Sequence, residues 1–99
     1  MQAALLSKLR LDKWLFQARF FKSRGLAAAM ITLGHLRING QPCRKPGHGV
    51  AAGDVLTFPQ GARIRVVRVM ALGVRRGPPD LAQILYDDLD PPAVPTPLE

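Results

Sequence analysis

The sequence has little of three things: cysteine, long hydrophobic runs and signatures of secretion. Cys43 is the only cysteine among the 99 residues, so no disulfide can form within the chain. No stretch approaches the roughly 18 consecutive apolar residues of a membrane span, and the first residues lack the apolar segment of a signal peptide. We therefore expect a cytoplasmic protein, in a reducing compartment, with no membrane association.

Motifs for catalysis and for metal or cofactor binding are also missing. His35 and His48 flank Cys43, but a tetrahedral zinc site usually takes four ligands, mostly cysteine and histidine. The glycines from Gly47 to Gly53 resemble a dinucleotide-binding loop, but their spacing has one residue too many and no strand–helix context. Neither serine lies in a recognisable nucleophile motif. We predict no enzyme activity, no catalytic residue, no metal and no cofactor.

Acidic residues are scarce over most of the chain. Residues 1–76 carry all 14 lysines and arginines and only two acids, Asp12 and Asp54, which gives a formal charge of +12. Residues 77–99 carry five acids and no base, which gives −5. A body this basic is typical of proteins that bind a polyanion, since its self-repulsion is unfavourable without one. Most of the bases are arginines, which suit bidentate phosphate contacts and stacking on nucleobases.

Hydrophobic periodicity predicts two short helices joined by a basic turn. Asp12 is a good N-cap for the first helix, which should end near Phe20 or Phe21. Ser23 offers an N-cap for a second helix over 24–33, and Gly34 is well placed to close it in the left-handed conformation. The predicted apolar face of the first helix contains Leu11, Trp14, Leu15, Ala18 and Phe21, with Lys13, Gln17 and Arg19 off it.

After the second helix the pattern changes to the period of two residues that is typical of strands. Asn39-Gly40 lies between two short extended runs and predicts a hairpin with a type I′ turn. Pro42 places the return arm of this hairpin at a sheet edge. The alternation slips at Val67-Arg68, where we expect a β-bulge. The predicted strands are 36–38, 41–43, 55–58 and 63–72.

The last quarter of the chain predicts a small appendage to this domain. Asp80 and Gln83 form a capping box for a short helix over 81–89, and residues 91–99 are proline-rich and expected to be disordered. The predicted segments are a lead-in over 1–8, a domain over 9–72, a basic loop and short helix over 73–90, and a tail over 91–99. The predicted fold is α+β: two helices packed on a small twisted antiparallel sheet, with a short added C-terminal helix.

Four motifs occur in a fixed order: LRLDKWL over 9–15, KSRGLA over 22–27, LRING over 36–40, and Gly53-Asp54. Together they resemble the S4 RNA-binding domain, or αL motif, over roughly residues 9–70. The stretch 10–21, with Arg75-Arg76 and Leu85-Tyr86, is similar more narrowly to the heat-shock protein 15 family. That resemblance implies binding to ribosomal RNA of the large subunit, with tRNA as a further partner, in the handling of stalled nascent chain–tRNA complexes. We expect the protein to be a monomer.

The residues of these motifs also predict a phosphate-binding surface by themselves. A helix N-terminus at Ser23, flanked by Lys22 and Arg24, attracts phosphate through its dipole and its charge. A surface of this kind reads the shape, the phosphates and the 2′-hydroxyls of structured RNA. The predicted RNA-binding residues are Arg10, Lys13, Lys22, Ser23, Arg24, Arg37, Asn39, Gln41, Arg44 and Lys45. Five of these bases are expected to converge on one face: Arg10, Lys22, Arg24, Arg37 and Arg44.

Several residues have a purely structural alternative. Ser23 can serve only as a helix cap, and Asn39 only to supply a positive φ. Trp14 is expected in the core, and Phe16 and Phe20 favour packing against the last helix over stacking on bases. The arginines expected on a solvated strand face are Arg63, Arg65 and Arg68.

Three other functions fit parts of the pattern. The basic, aromatic stretch 13–22 suits the surface of an anionic membrane, provided that Trp14 and Phe21 are not taken up by the core. An S4-type domain also suits an accessory subunit of an RNA-modifying enzyme, with the catalytic chain supplied in trans. Binding of duplex DNA is the third alternative, and competition between RNA and DNA of equal length separates it from RNA binding.

Overall fold

The computed structural model describes residues 8–73 and 75–89. Within them, the chain forms the predicted α+β fold, in which two helices share a core with an antiparallel sheet of strand order β3-β2-β5-β6-β7, and β1 pairs separately with β4. The elements are β1 Leu9–Arg10, α1 Leu11–Gln17, α2 Arg24–Thr32, β2 Leu36–Ile38, β3 Gln41–Cys43, β4 Gly49–Val50, β5 Val55–Gln60, β6 Arg63–Val69, α3 Pro79–Ala82, a 3-10 turn Gln83–Leu85 and β7 Tyr86–Asp88. The predicted lead-in, apart from Lys8, and the predicted tail lie outside the described residues.

Helix α1 begins and ends differently from the prediction. Asp12 lies inside its first turn and is not the N-cap; backbone carbonyls of the loop at Pro46 and His48 accept hydrogen bonds from the first N–H groups instead. The helix ends at Gln17 because Arg19 adopts a positive φ of 66°. The Arg19 and Phe20 N–H groups then bond back to the last turn, as in a Schellman motif.

Helix α2 agrees with the prediction at both ends. The Ser23 hydroxyl accepts a hydrogen bond from the Leu26 N–H at 3.1 Å, which confirms the N-cap. Gly34 has a φ of 89° and closes the helix, with its N–H donating to the Ile31 carbonyl. Its buried face consists of Ala27, Met30 and Ile31.

The sheet confirms the hairpin and corrects the bulge. Asn39 and Gly40 have φ values of 52° and 83°, as a type I′ turn requires, and β3 lies at the sheet edge. The register of β5 with β6 runs without interruption from Val55 opposite Arg68 to Gln60 opposite Arg63. The predicted bulge is therefore absent, and Arg65 lies on the same side of β6 as the buried Val67 and Val69.

The C-terminal helix is much shorter than predicted. Helix α3 is one turn capped by Pro78, and Asp80 lies in its first turn without making a cap bond. The chain then forms β7, which pairs with β6. An unpaired strand edge presents unsatisfied N–H and C=O groups, and β7 satisfies them along β6. Pairing within the sheet therefore replaces the predicted helix over 81–89.

The apolar face of α1 is buried in the core. Trp14 is fully buried and donates from Nε1 to the Ala71 carbonyl at 2.9 Å, and Phe21 is half-buried against the same cluster. Gln17, predicted off this face, is also buried. Among the described helices, none has the length and hydropathy to cross a bilayer. The membrane-surface alternative loses its basis, because the aromatic side chains it needs belong to the core.

Candidate nucleic-acid interface

Asp12 holds two arginines together at the start of α1. Its carboxylate accepts two hydrogen bonds from Arg10, at 3.1 Å from Nε and 3.0 Å from Nη2. It also forms an ion pair with Arg24, whose Nη2 lies at 3.7 Å. Asp12 is only 4% exposed, whereas the Arg10 and Arg24 side chains are 54% and 46% exposed. One buried carboxylate therefore fixes two guanidinium groups whose other edges face solvent, where phosphate can reach them.

The same contacts shift the pKa of the Asp12 carboxyl. Burial by itself raises this pKa, but the hydrogen bond and charge of Arg10, together with the charge of Arg24, outweigh burial and lower it below its ordinary value. Asp12 also raises the pKa of Arg10 through the same hydrogen bond. Asp12 is therefore an anion near neutral pH and keeps both arginines in place.

The N-terminus of α2 lies next to this arginine pair. Lys22, Ser23 and Gly25 are exposed here together with Arg24, and the Ser23 hydroxyl is committed to the Leu26 N–H. Ser23 therefore acts as the cap, and its contribution to an anion site is to orient the first turn of the helix. Lys13 lies half-buried on α1.

The hairpin turn is tied to the loop before β5. The Asn39 side chain donates to Asp54 Oδ1 at 3.1 Å and accepts from the Val55 N–H at 2.9 Å, so both ends of its amide are occupied. Arg37 donates to the Gly40 carbonyl at 3.3 Å across the turn. Asn39 thus holds the turn in position as well as supplying the positive φ, and Arg37 carries the exposed charge of this turn.

A groove of about 560 Å³ runs beside β3 and contains a further part of the predicted site. Its apolar floor includes Ile38, and its lining includes the predicted residues Asn39, Gln41, Arg44 and Lys45. The other lining residues are Pro42, Cys43 and His48. No acidic side chain contributes to this lining within the described part of the chain, so the groove presents a positive rim to an anion.

Arg10 belongs to the arginine pair and also contacts the loop beside the groove. A Cβ placed on Gly47 would lie 3.3 Å from Arg10 Nη1, so Arg10 packs on the loop that follows Arg44 and Lys45. Arg44 itself lies under the C-terminal end of α2, where its guanidinium would be 2.9 Å from a Cβ on Gly34. Arg10 and Arg24 are therefore brought together directly, whereas Arg44 lies at the other end of α2.

Three arginines have contacts that the sequence did not predict. Arg65 was expected on a solvated face, but its side chain is 11% exposed, stacks 5.0 Å from the Phe20 ring and pairs with Asp88 at 2.9 Å. Arg76 lies 4.7 Å over the Phe16 ring and donates to the Phe16 carbonyl. Arg19 donates to the carbonyl of Gly77 at 2.8 Å.

Phe16 and Phe20 are both engaged by neighbours within the protein. Phe20 packs against the rings of Trp14, Phe58 and Tyr86 in the core, and Arg76 covers the Phe16 ring.

The position of Arg65 on the inner face of β6 could have been found from the sequence. Counting the alternation of residues in β6 without a bulge places Arg65 on the same face as Val67 and Val69.

Known proteins resemble this chain in sequence. Residues 9–56 match the family model of the S4 domain. The chain is 43% identical over 84 residues to a heat shock protein 15 homolog of Aeromonas salmonicida, covering 85% of this chain and 63% of that protein. It is 33% identical over 75 residues to the small ribosomal subunit protein uS4 of Acidithiobacillus ferrooxidans, covering 74% of this chain and 36% of that protein.

A solved structure shares both the fold and the sequence pattern. The heat shock protein 15 of Vibrio cholerae, described as trimeric, superimposes with a TM-score of 0.79 at 36% identity, covering 84% of this chain and 83% of that one. The chain spans about three fifths of the length of the curated heat shock proteins that it matches.

Proposed function

The chain belongs to the heat shock protein 15 family, and we propose that it is a non-catalytic RNA-binding protein whose target is ribosomal RNA of the large subunit. The observation that carries this proposal is the pair of arginines fixed by the buried Asp12 beside the N-terminus of α2. Two half-exposed guanidinium groups on a rigid support suit phosphates of a folded RNA, because little side-chain freedom is lost on binding.

The groove beside β3 extends this surface along the RNA. Arg44 and Lys45 add charge along the groove, and Arg37 adds charge at the hairpin turn. These groups come from helices, a hairpin and a loop, which favours a shaped RNA over an extended strand. The binding surface therefore reads phosphate positions and 2′-hydroxyls more than base sequence.

The cellular role that we propose is the handling of large subunits that carry a stalled nascent chain on tRNA. Membership of the family supports this role, and the similarity to a protein of the small ribosomal subunit supports binding to ribosomal RNA in general. Contact with tRNA and action in the cytoplasm, where ribosomes lie, are parts of this proposal. Action as an RNA-binding accessory subunit of a modifying enzyme is the competing role.

Gradient sedimentation of a cell lysate tests the ribosomal role. We expect the protein in the fractions of free large subunits, and we expect more of it there after translation is stalled. Its appearance only with a modifying enzyme would support the accessory role, and its absence from all ribosomal fractions would contradict the ribosomal role. Competition between RNA and DNA duplexes of equal length checks that the ligand is RNA.

We also propose that the chain acts as a monomer, because self-association concentrates the positive charge of its body. The Vibrio cholerae relative is described as trimeric, so the state to be distinguished from a monomer is a trimer. Light scattering coupled to gel filtration should give a mass near 10.8 kDa, and a mass three times larger would contradict the monomer.

A further inference from the structure

A small pocket between the C-terminal end of α1 and α3 plays no part in the surface described above. Its volume is about 210 Å³. Pockets for drug-sized ligands have about 300–1,000 Å³, so this pocket is suited to a smaller group such as a single ring system. Its walls are mostly apolar and consist of Pro78, Leu81, Ala82, Ile84 and Leu85. Leu81 and Ile84 are more than half exposed, which leaves the pocket open on that side.

Gln17 lies at the floor of this pocket with an unpaired acceptor. Its side chain is 1% exposed, and within the described residues its Oε1 has no hydrogen-bond partner. Oε1 lies close to Gly73, where an added Cβ would approach to 2.7 Å. A buried acceptor without a donor is destabilising, because it has lost its hydrogen bonds to water. An N–H group entering the pocket would supply the missing donor.

Three hydrogen bonds fasten Ala71, Arg76 and Gly77 to α1 and the turn after it. They run from Trp14 Nε1 to the Ala71 carbonyl at 2.9 Å, from Arg76 Nε to the Phe16 carbonyl at 3.1 Å, and from Arg19 Nη1 to the Gly77 carbonyl at 2.8 Å. Arg75 lies on the rim and is exposed, and no acid contributes to the lining among the described residues. The rim therefore favours an anionic ligand with an uncharged, planar part.

We propose that this pocket accepts one unpaired nucleobase of the bound RNA, with a base N–H donating to Gln17 Oε1 and Arg75 contacting the adjoining phosphate. Every nucleobase has an N–H on its pairing edge, and unstacked bases in RNA are read between apolar walls by such bonds. The inference rests on the proposed function. Arg10 and Gln17 lie at opposite ends of α1, about 10 Å apart, so a single RNA can reach both.

Base-bearing and abasic oligomers test this proposal. The probes are a fluorescent RNA hairpin with unpaired bases in its loop and the same hairpin with abasic sites in that loop, measured by anisotropy. Gln17→Met keeps the length of the side chain and removes the orphaned oxygen, so the melting temperature should stay equal or rise. Its affinity for the base-bearing oligomer should fall about fivefold, while its affinity for the abasic one should not change.

Two further variants separate the pocket from other causes. Gln83→Met makes the same chemical change at an exposed position outside the pocket and should alter neither affinity. Arg75→Ala removes an exposed charge and should weaken the binding of both oligomers. The log–log dependence of this binding on salt concentration should become flatter by about one.

The outcomes distinguish this pocket from the proposed function. Equal affinity of wild type and Gln17→Met for the base-bearing oligomer overturns the base pocket and leaves RNA binding intact; the same result is expected if the pocket holds an apolar peptide side chain instead. An equal loss on both oligomers also overturns it, because the change would then not depend on a base. Failure of the wild type to bind either oligomer overturns the proposed function together with the pocket.

Discussion

Asp12 places a buried negative charge between two cations on an otherwise basic surface. Its contacts with Arg10 and Arg24 orient the groups that we expect to bind phosphate. The carboxylate thereby acts as a positioning residue, and its contribution to the fold depends on its ionisation.

Lowering the pH should therefore reduce the free energy of unfolding by the contribution of the ionised Asp12. Because the pKa of Asp12 is lowered in the folded chain, its contribution is complete above the unfolded value of about 3.9 and is lost as the pH falls through the folded pKa. Asp12→Asn should lower the free energy of unfolding at pH 7 by about 1 kcal/mol. This is a small value for a buried charge, because both arginines are half exposed and water screens the interaction. Urea denaturation between pH 7 and pH 2 measures this. Identical pH profiles for the two proteins would contradict it.

Arg24 and Arg68 form a matched pair for testing the interface. Their side chains are 46% and 45% exposed, and each has one long ion pair, at 3.7 Å to Asp12 and 4.0 Å to Asp87. If about four phosphates are contacted, the log–log salt slope of RNA binding should be near −3. Arg24→Ala should flatten this slope by about one and weaken binding, with little change in melting temperature.

Arg68→Ala removes the same charge from the far side of the sheet and should have much less effect. Equal losses from the two variants would indicate diffuse electrostatic adhesion and no defined phosphate surface. Arg65 cannot serve as the control, because its guanidinium stacks on Phe20 and pairs with Asp88. Its removal would change the core as well as the charge.

At the scale of the element, α1 depends on its neighbours at both ends. The loop at Pro46 and His48 supplies the acceptors for its first N–H groups, and the left-handed Arg19 ends it. A helix of seven residues has little stability of its own, so packing must hold it in place.

Leu15→Ala measures that packing. Leu15 is fully buried on α1, and truncating it should cost about 2–5 kcal/mol in the free energy of unfolding. Chemical denaturation gives the value directly. A loss below about half a kcal/mol, the range of neutral surface changes, would show that α1 does not rely on this face.

For the whole molecule, the fold separates charges that the sequence already divides. Acids of β7 pair with arginines of β6, with Asp88 on Arg65 and Asp87 on Arg68. Among the described residues, Asp12 is the acid that pairs with the bases at the starts of α1 and α2, and Asp54 lies at the hairpin turn, where it is bonded to Asn39. With so few acids near the bases of the helices and of the loop beside β3, the positive potential is concentrated on that side of the molecule.

Removal of residues 91–99 tests the role of the acidic end of the chain. Their proline content and low hydrophobicity predict that they add nothing to the fold. The shortened protein should melt at the same temperature and bind RNA with equal or slightly higher affinity, because a negative charge is lost. Thermal melts and anisotropy titrations measure both, and a clear loss of RNA affinity would mean that the segment contacts RNA.

The interface was predictable where a residue acts through its own backbone or its local turn. Ser23, Gly34 and the Asn39-Gly40 turn adopt the predicted conformations because caps and type I′ turns depend on neighbours in sequence. The double hydrogen bond of Asn39 with Asp54 and Val55 was not predictable, since these residues approach Asn39 only when β2 pairs with β5.

The sequence by itself determined the fold class, the basic body, α2 and the hairpin, because composition, periodicity and turn chemistry are local properties. Only the tertiary structure decided the role of Asp12, the burial of Arg65 and Gln17, and the conversion of the last predicted helix into β7. In each of these cases the partner lies elsewhere in the chain or on a neighbouring strand. A hydrogen-bonding group is satisfied by whatever the packed fold brings within reach, and local sequence does not specify that partner.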